Sequence, residues 1–183
     1  MKQGFVVWLT GLPGSGKTTI ARELEPKLRK MDWPVEIIDG DEIRQNLSKG
    51  LGFSREDRET HLKRCAYVAK LLSRNGVAVV AALISPYRSV RDYARKETTN
   101  FVEVYVKCSV ETCAKRDPKG LYKKASAGEI RDLTGPQDLY EEPLHPDLIV
   151  DTEKQNLHEC VEAILSQLEQ LKLLSRGYAF PSP

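Results

Sequence analysis

Gly11-Leu12-Pro13-Gly14-Ser15-Gly16-Lys17-Thr18 decides the fold of this 183-residue chain. The octet has the form G-x-x-x-x-G-K-[ST], and its neighbours give that form its meaning. Phe5-Val6-Val7-Trp8-Leu9 ahead of it reads as a buried strand, and Thr19-Ile20-Ala21-Arg22-Glu23-Leu24 behind it opens a helix. Glycines at such a junction let successive backbone N–H groups turn inward as an anion-binding nest, and the helix N-terminus adds its dipole. Lys17 is then placed to reach the outer phosphates of a nucleoside triphosphate, and the Thr18 hydroxyl to ligate Mg²⁺.

Working outward, apolar runs and helical patterns alternate, which predicts an α/β sheet with crossover helices. The runs are Phe5–Leu9, Val35–Ile38, Val77–Ile84, Phe101–Val106 and Leu148–Val150, nearly continuous in Val and Ile, as parallel strands buried on both faces require. Helices are expected at about Lys17–Lys30, Ser54–Asn75, Ser89–Thr98, Val110–Arg116 and Leu157–Leu174. Residues 1–174 read as one domain. Asp117–Pro143 interrupts the alternation, with Lys119, Lys123, Lys124 and Arg131 among glycines and prolines. A connection of this length is read as an active-site lid in preference to a plain solvated loop. The tail 175–183 reads as a loosely ordered end, with Tyr178 and Phe180 able to dock on the body.

Charge and composition narrow the class. The formal net charge is +2, with no basic block interleaved with aromatics, so nucleic acid is not an expected partner. No apolar run approaches the ~20 residues of a membrane span, and the start of the chain leaves no room for a signal peptide, so a soluble cytoplasmic protein is expected. Cys65, Cys108, Cys113 and Cys160 form no C-x-x-C pair and should be reduced. They are not expected to bind metal.

The second run ends in Asp39-Gly40-Asp41, whereas the third ends in Ala81-Ala82-Leu83-Ile84-Ser85 with no carboxylate. Carboxylates at the C-terminal end of a parallel strand face the ligand crevice. Asp41 there suits a group that orients Mg²⁺-bound water and accepts a proton from an attacking hydroxyl, with Asp39 in support. The plainer alternative has Asp39 ending the strand and Asp41 capping a helix that holds Ile43, Arg44 and Leu47. Of Arg44, Arg55, Arg58, Arg64, Arg88 and Arg91, several read as solvated helix faces; Arg44 and Arg58 are picked out because each lies near a strand-to-helix entry on the acceptor side. Guanidinium groups grip phosphate or sulfate oxygens bidentately, so a small anionic acceptor is expected.

Together the motifs resemble the adenylylsulfate kinase family across nearly the whole chain. The carriers are Asp39-Gly40-Asp41-x-x-Arg44, Leu51-Gly52-Phe53-Ser54 with Asp57-Arg58, Ile84-Ser85-Pro86-Tyr87-Arg88 and Arg116-Asp117-x-Lys119-Gly120-Leu121-Tyr122. Thr134-Gly135, Tyr140-Glu141-x-Pro143 and Asp151-Thr152 continue it. The resemblance implies a phosphate-loop kinase fold of the nucleoside-monophosphate-kinase type: a three-layer sandwich around a mostly parallel sheet, with a mobile lid. It implies transfer of phosphate from ATP, with Mg²⁺, to the 3′-hydroxyl of adenylylsulfate, in a homodimer coupled in function to a sulfate adenylyltransferase.

By motif position, ATP would lie on Gly11, Leu12, Pro13, Gly14, Ser15, Gly16, Lys17, Thr18 and Thr19, with Arg116 near its base. Lys17, Asp41 and Ser85 would be catalytic, Ser85 as a hydroxyl donor to substrate and not as a phosphoserine intermediate. Asp39, Arg44, Phe53, Arg58, His61, Ile84, Lys124 and Leu133 would complete the acceptor site, with Phe53 stacked on its adenine and the two arginines on its phosphosulfate. Three positions depart from the family pattern: His61 stands for Asn, Leu133 for Phe, and Pro136-Gln137 for Ile-Asp. All three fall on the acceptor side. They motivate the rival reading of a related kinase with another small anionic or nucleoside acceptor. A non-catalytic ATP-binding module is the third reading.

Overall fold

The computed structural model describes residues 3–174. Continuous apolar runs become five parallel strands: β1 (Phe5–Thr10), β2 (Val35–Asp39), β3 (Ala78–Ala82), β4 (Phe101–Lys107) and β5 (Leu148–Asp151). They form one sheet in the order β2-β3-β1-β4-β5. Among the described residues seven helices accompany them: α1 (Lys17–Lys30), α2 (Gly40–Asn46), α3 (Arg55–Arg74), α4 (Arg88–Glu97), α5 (Val110–Arg116), α6 (Leu121–Ser126) and α7 (Leu157–Gln170). The expected tail features at Tyr178 and Phe180 lie outside the described residues.

Side-chain alternation along β1 divides the core into two layers. Phe5, Val7 and Leu9 face a cluster made with Ile20, Leu24 and Leu28 of α1 and Val161, Ile164 and Leu168 of α7. Val6 and Trp8 face the opposite cluster, with Leu62, Cys65, Ala66 and Ala69 of α3 and Val90 and Ala94 of α4. Helices on both faces hide the central strands completely, which is why those strands read as unbroken hydrophobic runs. A third, smaller cluster joins Leu12, Cys108, Cys113, Tyr122, Ala125 and Leu133, so the 117–143 connection packs onto the back of the phosphate loop.

Three local expectations need correction. β3 stops at Ala82, because Ser85 adopts φ 42° and turns the chain out of extended geometry. The 117–143 connection contains a helix, α6, whose short run carries too little periodicity to stand out in sequence. α7 ends at Gln170, where Lys172 at φ 57° breaks the helical path. All four cysteines are free and buried. No helix is long and apolar enough to cross a membrane, among the described residues.

The α7 layer supplies a stability test. Ile164 is fully buried, so Ile164→Ala should cost about 2–5 kcal/mol in urea unfolding, whereas exposed Ser166→Ala on the same helix should change stability by at most about 0.5 kcal/mol.

Candidate functional site

Five parallel strands bring their C-terminal ends to one edge of the sheet, and the connections leaving that edge wall a single cleft of about 780 Å³. Its floor is the phosphate loop. Gly11 has φ 155°, and a Cβ there would stand 2.5 Å from the Val106 carbonyl oxygen, so only glycine lets the loop leave β1 this close to β4. Lys17 opens α1 and folds back under the loop, its Nζ donating to the carbonyls of Gly11 (2.9 Å) and Leu12 (2.6 Å) and to Ser15 Oγ (3.3 Å). Burial pulls its pKa down to about 8, because little water reaches the charged form.

Thr18 stands one residue on, its hydroxyl donating to Asp39 Oδ2 at 3.1 Å. Asp39 also caps α2, its Oδ1 accepting the Asp41 N–H at 2.9 Å. The cap is therefore Asp39, and the alternative with Asp41 as cap is corrected: a carboxylate one residue before the helix reaches the free N–H two residues on. Asp41 is left free to project into the cleft, where it pairs with Lys119 from the 117–143 connection. Among the described residues no group of three or more His, Cys, Asp or Glu side chains forms a metal cage. The hard oxygens of Thr18 and Asp39 fit Mg²⁺, which keeps several waters and binds chiefly through substrate phosphates.

On the far side of Asp41 the wall is built by α2, α3 and the loop between them. Phe53 is 59 % exposed, and the Arg44 guanidinium lies 4.5 Å from its ring centroid while donating to the Gly52 carbonyl at 2.9 Å. Arg58 is buried and its fork is already engaged: it donates to the Phe53 carbonyl at 2.7 Å, to the Asp132 carbonyl and to the Thr134 hydroxyl. That arrangement fastens the 117–143 connection to α3, and Arg58 lines the cleft as well. His61 lies beneath the Asp39-Gly40-Asp41 turn, with Nδ1 3.0 Å from Ser48 Oγ. Burial, reinforced by Arg44 and Arg64, lowers its pKa to about 4, so it is neutral at physiological pH.

Ser85 differs most from its expected role. Its Oγ accepts from the Trp8 indole N–H at 2.9 Å and leans towards the Leu83 carbonyl at 3.4 Å, so the hydroxyl serves the core while the residue lines the cleft. Ile84 lines the same wall, and Leu133 contributes to it from the third apolar cluster. Pro13, Gly14, Ser15, Gly16 and Thr19 line the opposite end. There Arg116 donates to both oxygens of Thr152, whose hydroxyl in turn donates to the Ser15 carbonyl at 3.1 Å. Three expected residues are not among those that line the cleft: Gly11 packs against the end of β4, Leu12 belongs to the third apolar cluster, and Lys124 is exposed elsewhere. Sequence reasoning gave no role to Lys119 or Thr152, although both fall inside quoted motifs; a lone lysine in a charged loop carries no directional signal.

Comparison with known proteins agrees with this geometry. The adenylylsulphate kinase family matches residues 3–151. An adenylyl-sulfate kinase of Rippkaea orientalis is 51 % identical over 178 residues, covering 97 % of this chain and 98 % of that protein. A probable bifunctional SAT/APS kinase of Sorangium cellulosum is 51 % identical over 173 residues, 94 % of this chain but 30 % of the longer protein. The structure of the Mycobacterium tuberculosis APS kinase in complex with AMPPNP and APS superposes with a TM-score of 0.89 at 39 % identity, over 92 % of this chain and 99 % of that one. Phosphate loop, strand-end carboxylates and neighbouring walls thus occur in a chain that belongs to the adenylylsulphate kinase family.

Proposed function

We propose that this protein transfers the γ-phosphoryl group of ATP to the 3′-hydroxyl of adenylylsulfate, giving 3′-phosphoadenylyl sulfate and ADP. The observation that carries the reading is a single cleft with Lys17 and Thr18 at one end, Arg44 and Phe53 at the other, and Asp41 between them. The 3′-oxygen attacks the γ-phosphorus, the bond from that phosphorus to the β–γ bridging oxygen breaks, and the hydroxyl proton passes to Asp41. Lys17 offsets charge developing on the transferred group and on ADP. Thr18, with Asp39 behind it, would hold Mg²⁺, which supplies charge neutralisation across the β- and γ-phosphates.

Direct transfer is favoured over a phosphoserine, because the Ser85 hydroxyl is bonded to Trp8 in the core. Phe53 offers an exposed ring for the acceptor adenine, with Arg44 beside it for the phosphosulfate. His61, neutral and buried, takes the place of a family Asn as a support beneath Gly40. The 117–143 connection acts as a lid, hinged between the α5 end and Tyr140, within one domain spanning residues 1–174. Arg116 orients the ATP base, and Lys124 reaches the acceptor only through lid movement. The Sorangium protein, named for both activities, favours functional coupling to a sulfate adenylyltransferase, and we place the chain in the cytoplasm as a homodimer.

A coupled assay tests the reading: ADP should form only when adenylylsulfate is added, and preference for an unsulfated nucleotide across a panel would overturn it. Asp41→Asn should lower kcat about 10²–10⁴-fold with ATP affinity nearly unchanged; an unchanged rate removes Asp41 from the chemistry. Lys17 yields a pH prediction. Its proton is held below about pH 8 and lost above it, and a phosphate anion beside the ammonium would favour the protonated form. Affinity for a non-hydrolysable ATP analogue should therefore weaken by up to about tenfold per pH unit above 8. Calorimetric titration checks this, and constant affinity to pH 10 contradicts it.

A further inference from the structure

Arg91 was expected to be a solvated helix residue, yet its side chain is only 2 % exposed. It sits one turn into α4, where Val90 and Ala94 already dock the helix on the apolar core. A buried ion pair is weak evidence for stability, because desolvation offsets much of its attraction. The partners of this guanidinium say more. Nε donates to Glu103 Oε1 on β4 at 2.8 Å, Nη1 to the Ser85 carbonyl at 2.5 Å, and Nη2 to the Glu141 carbonyl at 2.6 Å. The last two oxygens belong to segments far apart in sequence: the acceptor-facing loop after β3 and the stretch that ends the lid.

Neighbouring contacts align these two segments. The Glu141 N–H donates to the Pro86 carbonyl at 2.8 Å, and Glu141 Oε2 accepts the Arg88 N–H at 2.8 Å. The Tyr140 hydroxyl lies 2.9 Å from Thr10 Oγ1, which donates to the Ile84 carbonyl at 2.8 Å. Glu103 is itself fixed by Arg95, and both connect to Asp147. Ser85 stands at φ 42°, a conformation that a residue other than glycine keeps only where its surroundings enforce it.

We infer that Arg91, backed by Glu103, is a positioning residue for the acceptor, holding the Ile84–Pro86 wall and the lid's C-terminal anchor in one register. The inference rests on the proposed kinase reading. Lysine at this position keeps the charge but lacks the planar fork that reaches two carbonyls and a carboxylate together. Arg91 is not among the residues that line the cleft; it acts through the Ile84–Pro86 loop, which does.

The test uses Arg91→Lys and the apolar double variant Arg91→Met/Glu103→Met, which removes both buried charges at similar volume. In both, KM for adenylylsulfate should rise about ten- to a hundredfold, the scale of a small misplacement transmitted to a reacting group, while KM for ATP stays within about twofold. Trp8 fluorescence, read in a Trp33→Phe background, should shift in the same variants as the Ser85 hydrogen bond is disturbed. Equal rises in both KM values, or a fall in kcat that merely follows the folded fraction seen by circular dichroism, would overturn the inference. An unshifted Trp8 spectrum would overturn it too. A parent protein that does not turn over adenylylsulfate refutes the kinase reading instead, and the Trp8 measurement then still reports whether Arg91 sets the loop.

Discussion

Parallel pairing of β1 with β3, with Leu9 opposite Ala82, is the constraint on which the site depends. It sets the phosphate loop and the acceptor-facing loop side by side at one sheet edge. Backbone hydrogen bonds extend the pairing past the last formal partners: Leu83 N–H donates to the Leu9 carbonyl, and Gly11 N–H to the Ile84 carbonyl. In the proposed reading, donor and acceptor sites are adjacent because two strands are. Effective concentration of the two substrates follows from sheet geometry, and precise orientation is left to side chains.

Polar groups around this edge divide between substrate and scaffold in a way that residue type does not reveal. Arg44 and Arg91 both stand on helices that follow a strand, yet one stacks on an exposed ring and the other is sealed among carbonyls. Asp39 and Asp41 are two residues apart, yet one is committed to a cap and a hydroxyl while the other faces the cleft. A capping carboxylate has its geometry set before any ligand arrives, whereas Asp41 can exchange its partner. Lys119, on the 117–143 connection, is the partner it has in this structure. An ion pair between two exposed groups is weak, so substrate phosphates can replace it at small cost.

Much of this was legible in the order of residues. The octet from Gly11 to Thr18 between an apolar run and a helix placed β1 and α1 closely, because loop chemistry and periodicity agree there. Asp39-Gly40-Asp41 and the missing carboxylate after β3 were legible for the same reason: both are local. Side-chain direction was not. The bond that ties the Ser85 hydroxyl to Trp8, distant in sequence, leaves no trace in the order of residues. The contacts of Arg58 with Thr134 and Asp132 of the 117–143 connection are equally invisible in sequence, because they join residues more than 70 positions apart. Arg91 reads as surface because only the third dimension supplies Glu103 and two carbonyls. α6 was missed because a helix of six residues is stabilised by contacts such as that of the Tyr122 hydroxyl with the Pro13 carbonyl, not by its own pattern.

Direct passage of the phosphoryl group between two substrates in one cleft is the claim that everything else serves. Single-turnover quench-flow with ATP labelled at the γ-phosphate tests it. Label should pass from ATP to the 3′-oxygen of adenylylsulfate with no transient on the protein, and a Ser85→Ala variant should still form the labelled product. Label that appears first on the protein, or is released to water at the same rate with and without adenylylsulfate, would contradict it.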